Sequence, residues 1–172
     1  MNVIYVPDTR LKQISSPVEV INEEVHSLLD TMLDVMYRDE GCGLAAIQLG
    51  IPKRLIVIDF GEDDEEMPAG GPLFMINPEI TWTSEEQVTL REGCLSIPGV
   101  AVDVTRPVRA RIAFTNRKGA REEHEAGGYL GRCFLHEIDH LNGLTSLDRV
   151  SALKRKMLLN KSRRYQRTMC EE

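Results

Sequence analysis

Residues 136–140 read HEIDH, and this pentapeptide predicts a metal-binding helix around which the rest of the chain has to fold. Two histidines four positions apart stand on one face of a helix, about 5–6 Å apart at Cβ, so both imidazoles can bind one metal ion. Glu137 lies between them, close enough to exchange a proton with a water on that ion, as in metal-dependent hydrolases. Two of the four histidines of the chain fall in this turn. This favours a metal-binding helix over a surface helix with two unrelated histidines.

A catalytic site of this kind generally has three protein ligands and one open position. Cys133 precedes His136 by one turn, but about 10 Å of helix rise separates it from His140, whereas ligands of one ion lie within about 4–5 Å of each other. The third ligand must therefore come from another segment. The best candidate is Cys94, in EGCLS at residues 92–96, whose thiolate would complete a Cys-His-His set. A small buried cysteine without a ligand role is the alternative.

A third segment, GCGLAAIQ at residues 41–48, surrounds one polar amide with small residues. The side chain of Gln48 offers two N–H donors of the kind that stabilise a developing oxyanion. The segment lacks the Lys-Ser/Thr ending of a P-loop and the glycine pattern of a dinucleotide site, so it is not a phosphate cradle. Considered alone, it also fits a tight helix-to-strand turn.

The three segments, in this order and at these separations, closely resemble the signature motifs of peptide deformylases, and the likeness covers roughly residues 3–150. The resemblance implies an enzyme that removes the N-formyl group from the initiator N-formylmethionine of newly synthesised polypeptides and releases formate. The site residues that it implies are Cys94, His136 and His140 as metal ligands, Glu137 as general acid and base, and Gln48 with the backbone N–H of Leu95 as oxyanion donors.

The resemblance also implies a cofactor and a substrate pocket. The cofactor is one divalent metal ion, with Fe²⁺ favoured and Zn²⁺, Ni²⁺ or Co²⁺ as other occupants. The methionine side chain is expected to bind near Cys42, Gly43, Tyr129, Arg132 and Cys133. The chain departs from the family at two places, with Leu135 where a glutamine is usual and Thr145-Ser146 where a Leu-Phe pair is common. Neither departure alters a ligand or the acid/base.

Length and composition predict one catalytic domain, because 172 residues with 42% apolar content are enough for a sizeable core. The sequence shows neither a secretory signal nor an apolar run of 18 residues, which predicts a cytoplasmic protein with no membrane partner. The cysteines at positions 42, 94, 133 and 170 are scattered, and we expect them to be reduced thiols.

The hydrophobic pattern predicts an α+β fold, in which antiparallel β-sheets pack around a central metal-binding helix. An amphipathic helix is expected at residues 21–40 and the metal helix at residues 129–141. Strands are expected at residues 55–60, 73–76, 80–82, 87–91, 100–104 and 108–114. The acidic, glycine-rich and proline-rich residues 61–72 predict a solvated loop, and His124 is expected in an exposed turn.

Charge divides the chain into a catalytic part, residues 1–150, and a basic C-terminal helix or tail, residues 151–172. The net charge is −6, yet the stretch 152–169 carries seven basic residues and no acidic one. Leu153, Met157 and Leu158 predict an apolar edge that docks this helix on the domain. Deformylases of the bacterial type have a C-terminal helix that meets the ribosome, so the resemblance implies contact with ribosomal RNA. A solvated helix face is the alternative, and no DNA partner is expected.

Two other functions compete with deformylation. The first is a zinc peptidase that uses the HExxH motif, which needs a downstream histidine or glutamate as its third ligand, and no histidine follows His140. The second is a binding protein that keeps the fold and the metal but has lost turnover through changes such as Leu135 and Thr145-Ser146. A formate-release assay separates both alternatives from the deformylase.

Overall fold

The computed structural model describes residues 1–61, 67 and 71–169, and these residues form an α+β fold, as predicted. The helices are α1 (Glu23–Arg38), α2 (Gly128–Leu141) and α3 (Ala152–Met169). The strands are β1 (Gly43–Ala45), β2 (Leu55–Ile58), β3 (Leu73–Thr83), β4 (Gln87–Glu92), β5 (Val102–Pro107), β6 (Ala110–Thr115) and β7 (Arg121–Ala126). Most of the predicted loop at 61–72 lies outside the described residues, and so does Cys170. Over those residues, every helix is too short or too polar to span a membrane.

A five-stranded antiparallel sheet separates the two main helices. Its strand order is β1-β2-β3-β6-β7, and β4 and β5 form a separate two-stranded antiparallel sheet. Because side chains alternate along a strand, β2 sends Leu55 and Val57 into the apolar cluster with α1, and Ile56 and Ile58 into the cluster with α2. The sheet is thus covered on both faces, and α2 becomes the central helix.

Helix α1 confirms the helix predicted at residues 21–40, although it is two residues shorter at each end. The side chain of Asn22 caps its N-terminus by accepting a hydrogen bond from the Val25 amide at 3.1 Å. Its buried face repeats at helical spacing through Val25, Leu29 and Met32. Helix α1 ends shortly before the segment 41–48, which contains Gln48. The packing of α1 against the sheet therefore determines where in the fold that segment begins.

Two strand predictions were wrong in detail. Residues 73–76 and 80–82 belong to one strand, β3, whose pairing with β6 shifts register between Ile76 and Glu79. Asn77 has a positive φ of 51°, and Pro78 has no N–H to give the ladder, so the sequence pattern breaks where the strand continues.

The prediction of an exposed turn at His124 was also wrong. His124 lies on edge strand β7, with its ring 5.2 Å from that of Phe114. The acidic residues of β7 face solvent and conceal the strand pattern.

Helix α3 exists as predicted, but only one of the three residues assigned to its docked edge lies there. Leu158 packs, together with Leu159, against the cluster that contains Ile97, whereas Leu153 and Met157 are 72% and 64% exposed. Further along, the ring of Tyr165 contacts Gly99. Gln166 Nε2 donates to the Val6 carbonyl at 3.0 Å, and the Val6 amide donates to the Ser96 carbonyl at 2.9 Å. Helix α3 therefore braces the segment that carries Cys94.

Candidate metal centre

The two histidines of α2 meet Cys94 at one point, as the sequence predicts. His136 Nε2 and His140 Nε2 are 3.3 Å apart, and Cys94 Sγ is 3.3 Å from His140 Nε2. The ligand atoms of all three residues lie within 4.8 Å of one another. Ligands bound tetrahedrally at about 2.0–2.3 Å are roughly 3.3–3.8 Å apart, so these three residues fit a single divalent ion. The donor set of one thiolate and two imidazoles is suited to Zn²⁺ or Fe²⁺.

Cys94 comes from a segment distant in sequence, whereas Cys133 is held away from the cluster. Strand β4 ends at Glu92, and the Ile97 amide donates to the Cys94 carbonyl at 2.9 Å, which closes a tight turn around the thiol. Cys133 is buried against Gly43 instead. The helix-rise argument that excluded Cys133 as a ligand therefore agrees with the geometry.

A buried carboxylate fixes the orientation of His136. His136 Nδ1 is 3.0 Å from Glu92 Oε2, so Nδ1 carries the proton and donates it to the carboxylate, and the lone pair of Nε2 faces Cys94 and His140. Burial alone would raise the pKa of Glu92, but the hydrogen bonds from His136 and Arg106 hold that pKa well below its usual value. Glu92 is therefore ionised, and this makes His136 a stronger ligand.

Glu92 belongs to a buried ionic network that the sequence did not reveal. Arg106 Nε and Arg132 Nη1 each donate to Glu92 Oε1 at 2.6 Å. Arg106 Nη1 also donates to Asp139 Oδ2 at 2.8 Å, and Asp139 accepts from Arg149 Nε at 3.0 Å. The network ties the metal helix to both strands of the β4-β5 sheet. The sequence did contain one indication of this network, because the alternation of side chains along a strand places Arg106 on the inward face of β5.

The two departures from the family pattern lie in different surroundings. Leu135 is buried in the apolar cluster between α2 and the sheet, where a side chain without polar atoms is suitable. Ser146 is 1% exposed, and its Oγ is 3.4 Å from both Glu92 Oε2 and His136 Nδ1. Its hydroxyl thus adds a weak polar contact to the pair that orients the metal ligand.

Replacing Glu92 with glutamine is expected to lower the free energy of unfolding by about 3–5 kcal/mol, because the buried guanidinium of Arg132 loses its anionic partner and that of Arg106 keeps only Asp139. It should also weaken metal binding roughly 10–100-fold, since His136 loses the carboxylate that orients it. Denaturant unfolding and a metal titration against a chelator measure the two effects. The control is Glu125→Gln, at an exposed acid paired with Arg109 and Arg111, which should change neither quantity appreciably. Equal behaviour of the two variants would contradict the role of Glu92.

Glu137 is placed for proton transfer beside the cluster. It is 3% exposed, and among the described residues its Oε2 has no hydrogen-bond partner. Burial raises the pKa of Glu137 to about 7, a value suited to a group that must both accept and donate a proton. A Cβ at position 43 would lie 2.7 Å from Glu137 Oε1. Only glycine therefore lets β1 pass this close to the carboxylate.

Gln48 lies across the cluster from this helix, on a short 3-10 turn that follows β1. The Ala45 amide donates to Gln48 Oε1 at 2.9 Å, which fixes the orientation of the amide group. Gln48 Nε2 consequently points toward Ser96 Oγ, at 3.2 Å, and Cys94 Sγ, at 3.8 Å. Leu95 follows Cys94 in the same turn. The two predicted oxyanion donors thus belong to segments that flank the metal cluster.

A cavity of about 370 Å³ opens beside these groups. All five residues predicted to contact the methionine line it: Cys42, Gly43, Tyr129, Arg132 and Cys133. The guanidinium of Arg132 is occupied by Glu92 and by the carbonyls of Val88 and Val104, so the stem is the part of this side chain left for a ligand. Tyr129 is 68% exposed. Sequence reasoning missed Glu40, Phe60 and Arg91, which also line the cavity.

The comparisons with known proteins agree with this geometry. The family model described as "Polypeptide deformylase" matches residues 1–156. The peptide deformylase of Bartonella henselae is 46% identical over 159 residues, which cover 92% of this chain and 89% of the relative. The peptide deformylase of Ehrlichia chaffeensis superposes with a TM-score of 0.91 at 38% identity, over 99% of this chain and 98% of that one, and a second crystal structure of it contains actinonin. The chain belongs to the polypeptide deformylase family.

Proposed function

We propose that this chain hydrolyses the N-formyl group of N-formylmethionyl nascent peptides and releases formate and a free N-terminus. The observation that carries the proposal is the convergence of Cys94, His136 and His140 beside the buried carboxylate of Glu137, at the wall of one cavity. This arrangement combines a site for a Lewis acid with a proton acceptor and an apolar space. A metal-dependent hydrolase of an amide with an apolar side chain uses these three components.

In this proposal, Cys94, His136 and His140 hold the ion. When bound there, a divalent metal lowers the pKa of a coordinated water and polarises the formyl carbonyl. Glu137 accepts the proton from the attacking water and later delivers it to the departing amine. Its free Oε2 and its pKa of about 7 suit both transfers.

Gln48 and Leu95 are proposed to stabilise the negative charge that develops on the formyl oxygen. The side-chain N–H of Gln48 and the backbone N–H of Leu95 serve as the donors. The bond from the Ala45 amide to Gln48 Oε1 holds the donor end of the amide toward the cluster before substrate binds. Preorganised donors of this kind typically contribute about 2.7–4 kcal/mol each to transition-state stabilisation.

The methionine side chain is proposed to enter the cavity lined by Cys42, Gly43, Cys133, Tyr129 and the stem of Arg132. Sulfur and apolar atoms on this wall suit a thioether, which is polarisable and weakly polar. The resident ion is proposed to be Fe²⁺, with Zn²⁺, Ni²⁺ or Co²⁺ as substitutes. Metal analysis of protein purified without oxygen tests this assignment.

A formate-release assay on formyl-Met-Ala-Ser tests the function. The metal-loaded chain is expected to release one formate per free amine formed, and actinonin, which is bound in a crystal structure of one relative, is expected to bind it. Cleavage of the Met-Ala bond in acetyl-Met-Ala-Ser would favour the peptidase alternative. Binding of the formyl-peptide without turnover would favour the non-catalytic alternative.

We also propose that residues 1–150 form the catalytic part and that α3 contacts ribosomal RNA. Lys156, Arg163, Arg164 and Arg167 are exposed along α3, whereas Lys154 and Arg155 form ion pairs with Asp103 and Asp148 of the same chain. Exposed cations along one helix attract phosphates, and salt screening limits the range of this attraction. The buried side of α3 stays on the domain while the exposed side is available to RNA.

Reversing the charge of these four residues is expected to abolish co-sedimentation with ribosomes at low salt and leave turnover of a short formyl-peptide nearly unchanged. The change replaces phosphate attraction with repulsion and touches no residue of the metal centre. Reversal at Lys118 and Arg121, in the β6–β7 hairpin and outside α3, is the control. Sedimentation equal to that of the unmodified chain would reject the RNA contact. Truncation after Val150 is less specific, because it also removes the Tyr165 and Gln166 contacts that brace the Cys94 segment.

A further inference from the structure

Two thiols in the wall of the cavity have no role in the proposed reaction. Cys42 is exposed at the cavity, and its backbone is anchored by the Asp59 amide, which donates to the Cys42 carbonyl at 3.0 Å. Cys133 is buried on α2, one turn before Glu137. Although 91 positions separate them in the sequence, both side chains line the cavity, and Cys133 Sγ packs against Gly43, the residue that follows Cys42. The fold therefore builds a dithiol beside the proposed methionine site.

The two thiols are chemically unequal. The neighbouring Cys133 thiol lowers the pKa of Cys42 to about 7. The neighbouring Cys42 thiol, together with burial and the carboxylate of Glu137, raises the pKa of Cys133 well above its usual value. The thiolate is the reactive form of cysteine. The exposed sulfur is thus the one prepared for reaction, and the buried sulfur lies next to it as a second partner.

We propose that Cys42 and Cys133 form a reversible disulfide when the protein meets a hydroperoxide, and that this bond closes the substrate cavity. The inference rests on the proposed function, since it regulates the same site. It differs from oxidation of Cys94, which would remove a metal ligand and lead to loss of the ion.

The proposed reaction has two steps. The Cys42 thiolate attacks one oxygen of hydrogen peroxide, the O–O bond breaks, and the leaving hydroxide takes a proton to give water and a Cys42 sulfenic acid. The Cys133 sulfur then attacks Cys42 Sγ, the S–O bond breaks, and the Cys133 proton leaves with the hydroxide as a second water. Two thiols are oxidised by two electrons and one peroxide is reduced to two waters.

The local backbone favours this bond and links it to the site. Cys42 lies between Gly41 and Gly43, which allow the backbone to adjust as the two sulfurs approach to about 2.05 Å. Gly43 also packs against Cys133 Sγ and Glu137 Oε1, so a shift of Cys42 moves the wall that faces the acid/base. In apolar specificity sites, a change the size of one methylene alters kcat/KM roughly 10–200-fold. We expect a loss of at least about 10-fold on oxidation.

The test uses full-length protein loaded with Zn²⁺, which has no redox chemistry of its own. The protein is treated with a small excess of hydrogen peroxide, alkylated without reduction, digested and examined by mass spectrometry for a Cys42–Cys133 linked peptide. Activity is measured before oxidation, after oxidation and after dithiothreitol, and each variant is compared with its own unoxidised value. Cys42→Ser and Cys133→Ser remove the bond, and Cys170→Ser, which removes the fourth thiol, is the matched control.

The expected result is a linked peptide in the unmodified and Cys170→Ser proteins, with a loss of kcat/KM that dithiothreitol restores. Both cavity variants should lack the linked peptide and resist the reversible part of the loss. Oxidation of Cys42 without a link to Cys133, or a quantitative link that leaves kcat/KM unchanged, would overturn the proposal. The linked peptide is detected whether or not the protein releases formate, so failure of the proposed function is recognised separately.

Discussion

Replacing Glu137 with glutamine is expected to leave one metal ion bound per chain and to lower kcat roughly 10²–10⁴-fold, the range typical of general acid–base catalysis. Glutamine preserves the shape of the side chain beside Gly43 but cannot accept a proton from the attacking water. KM should change little, because the residue is proposed to act on the proton and not on methionine binding. Metal analysis and steady-state formate release measure the two quantities on the same preparation.

The matched control is Glu125→Gln on β7, which makes the same chemical change at an exposed acid. It should retain both the metal and the rate. A Glu137→Gln protein that is fully metal-loaded and turns over at nearly the unmodified rate would contradict the acid/base role. Loss of the metal from this variant would instead indicate that Glu137 supports the ligands.

Replacing Cys94 with serine is expected to abolish metal binding at micromolar concentrations and with it nearly all activity. A neutral hydroxyl is a poor substitute for a thiolate, and the two remaining imidazoles do not complete a three-ligand site. The change is small in volume, and Cys94 is only partly buried, so the fold should persist. Equilibrium dialysis with Zn²⁺, monitored by elemental analysis, gives the stoichiometry directly.

Cys133→Ser is the matched control, because it makes the same substitution at the cysteine that lies on the metal helix itself. Its metal stoichiometry should stay near one, since Cys133 packs against Gly43 and not against the ligand cluster. Retention of the metal in Cys94→Ser together with its loss in Cys133→Ser would reverse the ligand assignment. Circular dichroism of both variants tests whether any loss of metal is caused by unfolding.

Local periodicity was sufficient for the elements that carry the chemistry. A helix repeats every 3.6 residues, so the spacing of His136 and His140 determines that both imidazoles share a face. The rise of the helix along its axis also excludes Cys133 as a ligand of the same ion, so the third ligand has to come from another segment. These conclusions depend only on distances along one element, which the backbone hydrogen bonds fix regardless of the rest of the fold.

The sequence was a poorer guide to exposed elements in which the polarity of the side chains does not match their burial. The stretch 121–126 is polar because β7 is an edge strand with one face in water, so His124 did not appear to lie in a sheet. On α3, apolar Leu153 and Met157 point to solvent, and the docked side is the one that carries Leu158 and Ser162. Composition alone does not say which face of an element meets the core.

The α+β class and the metal helix could be predicted from local patterns in the sequence, and the candidate ligand Cys94 from the resemblance of its segment to a deformylase motif. Only the tertiary structure revealed that Glu92 joins His136 to Arg106 and Arg132, and that Cys42 and Cys133 line the same cavity. These arrangements bring together residues between 14 and 91 positions apart. They depend on how the β4-β5 sheet and strand β1 close onto α2, and no periodicity within a single element specifies that closure.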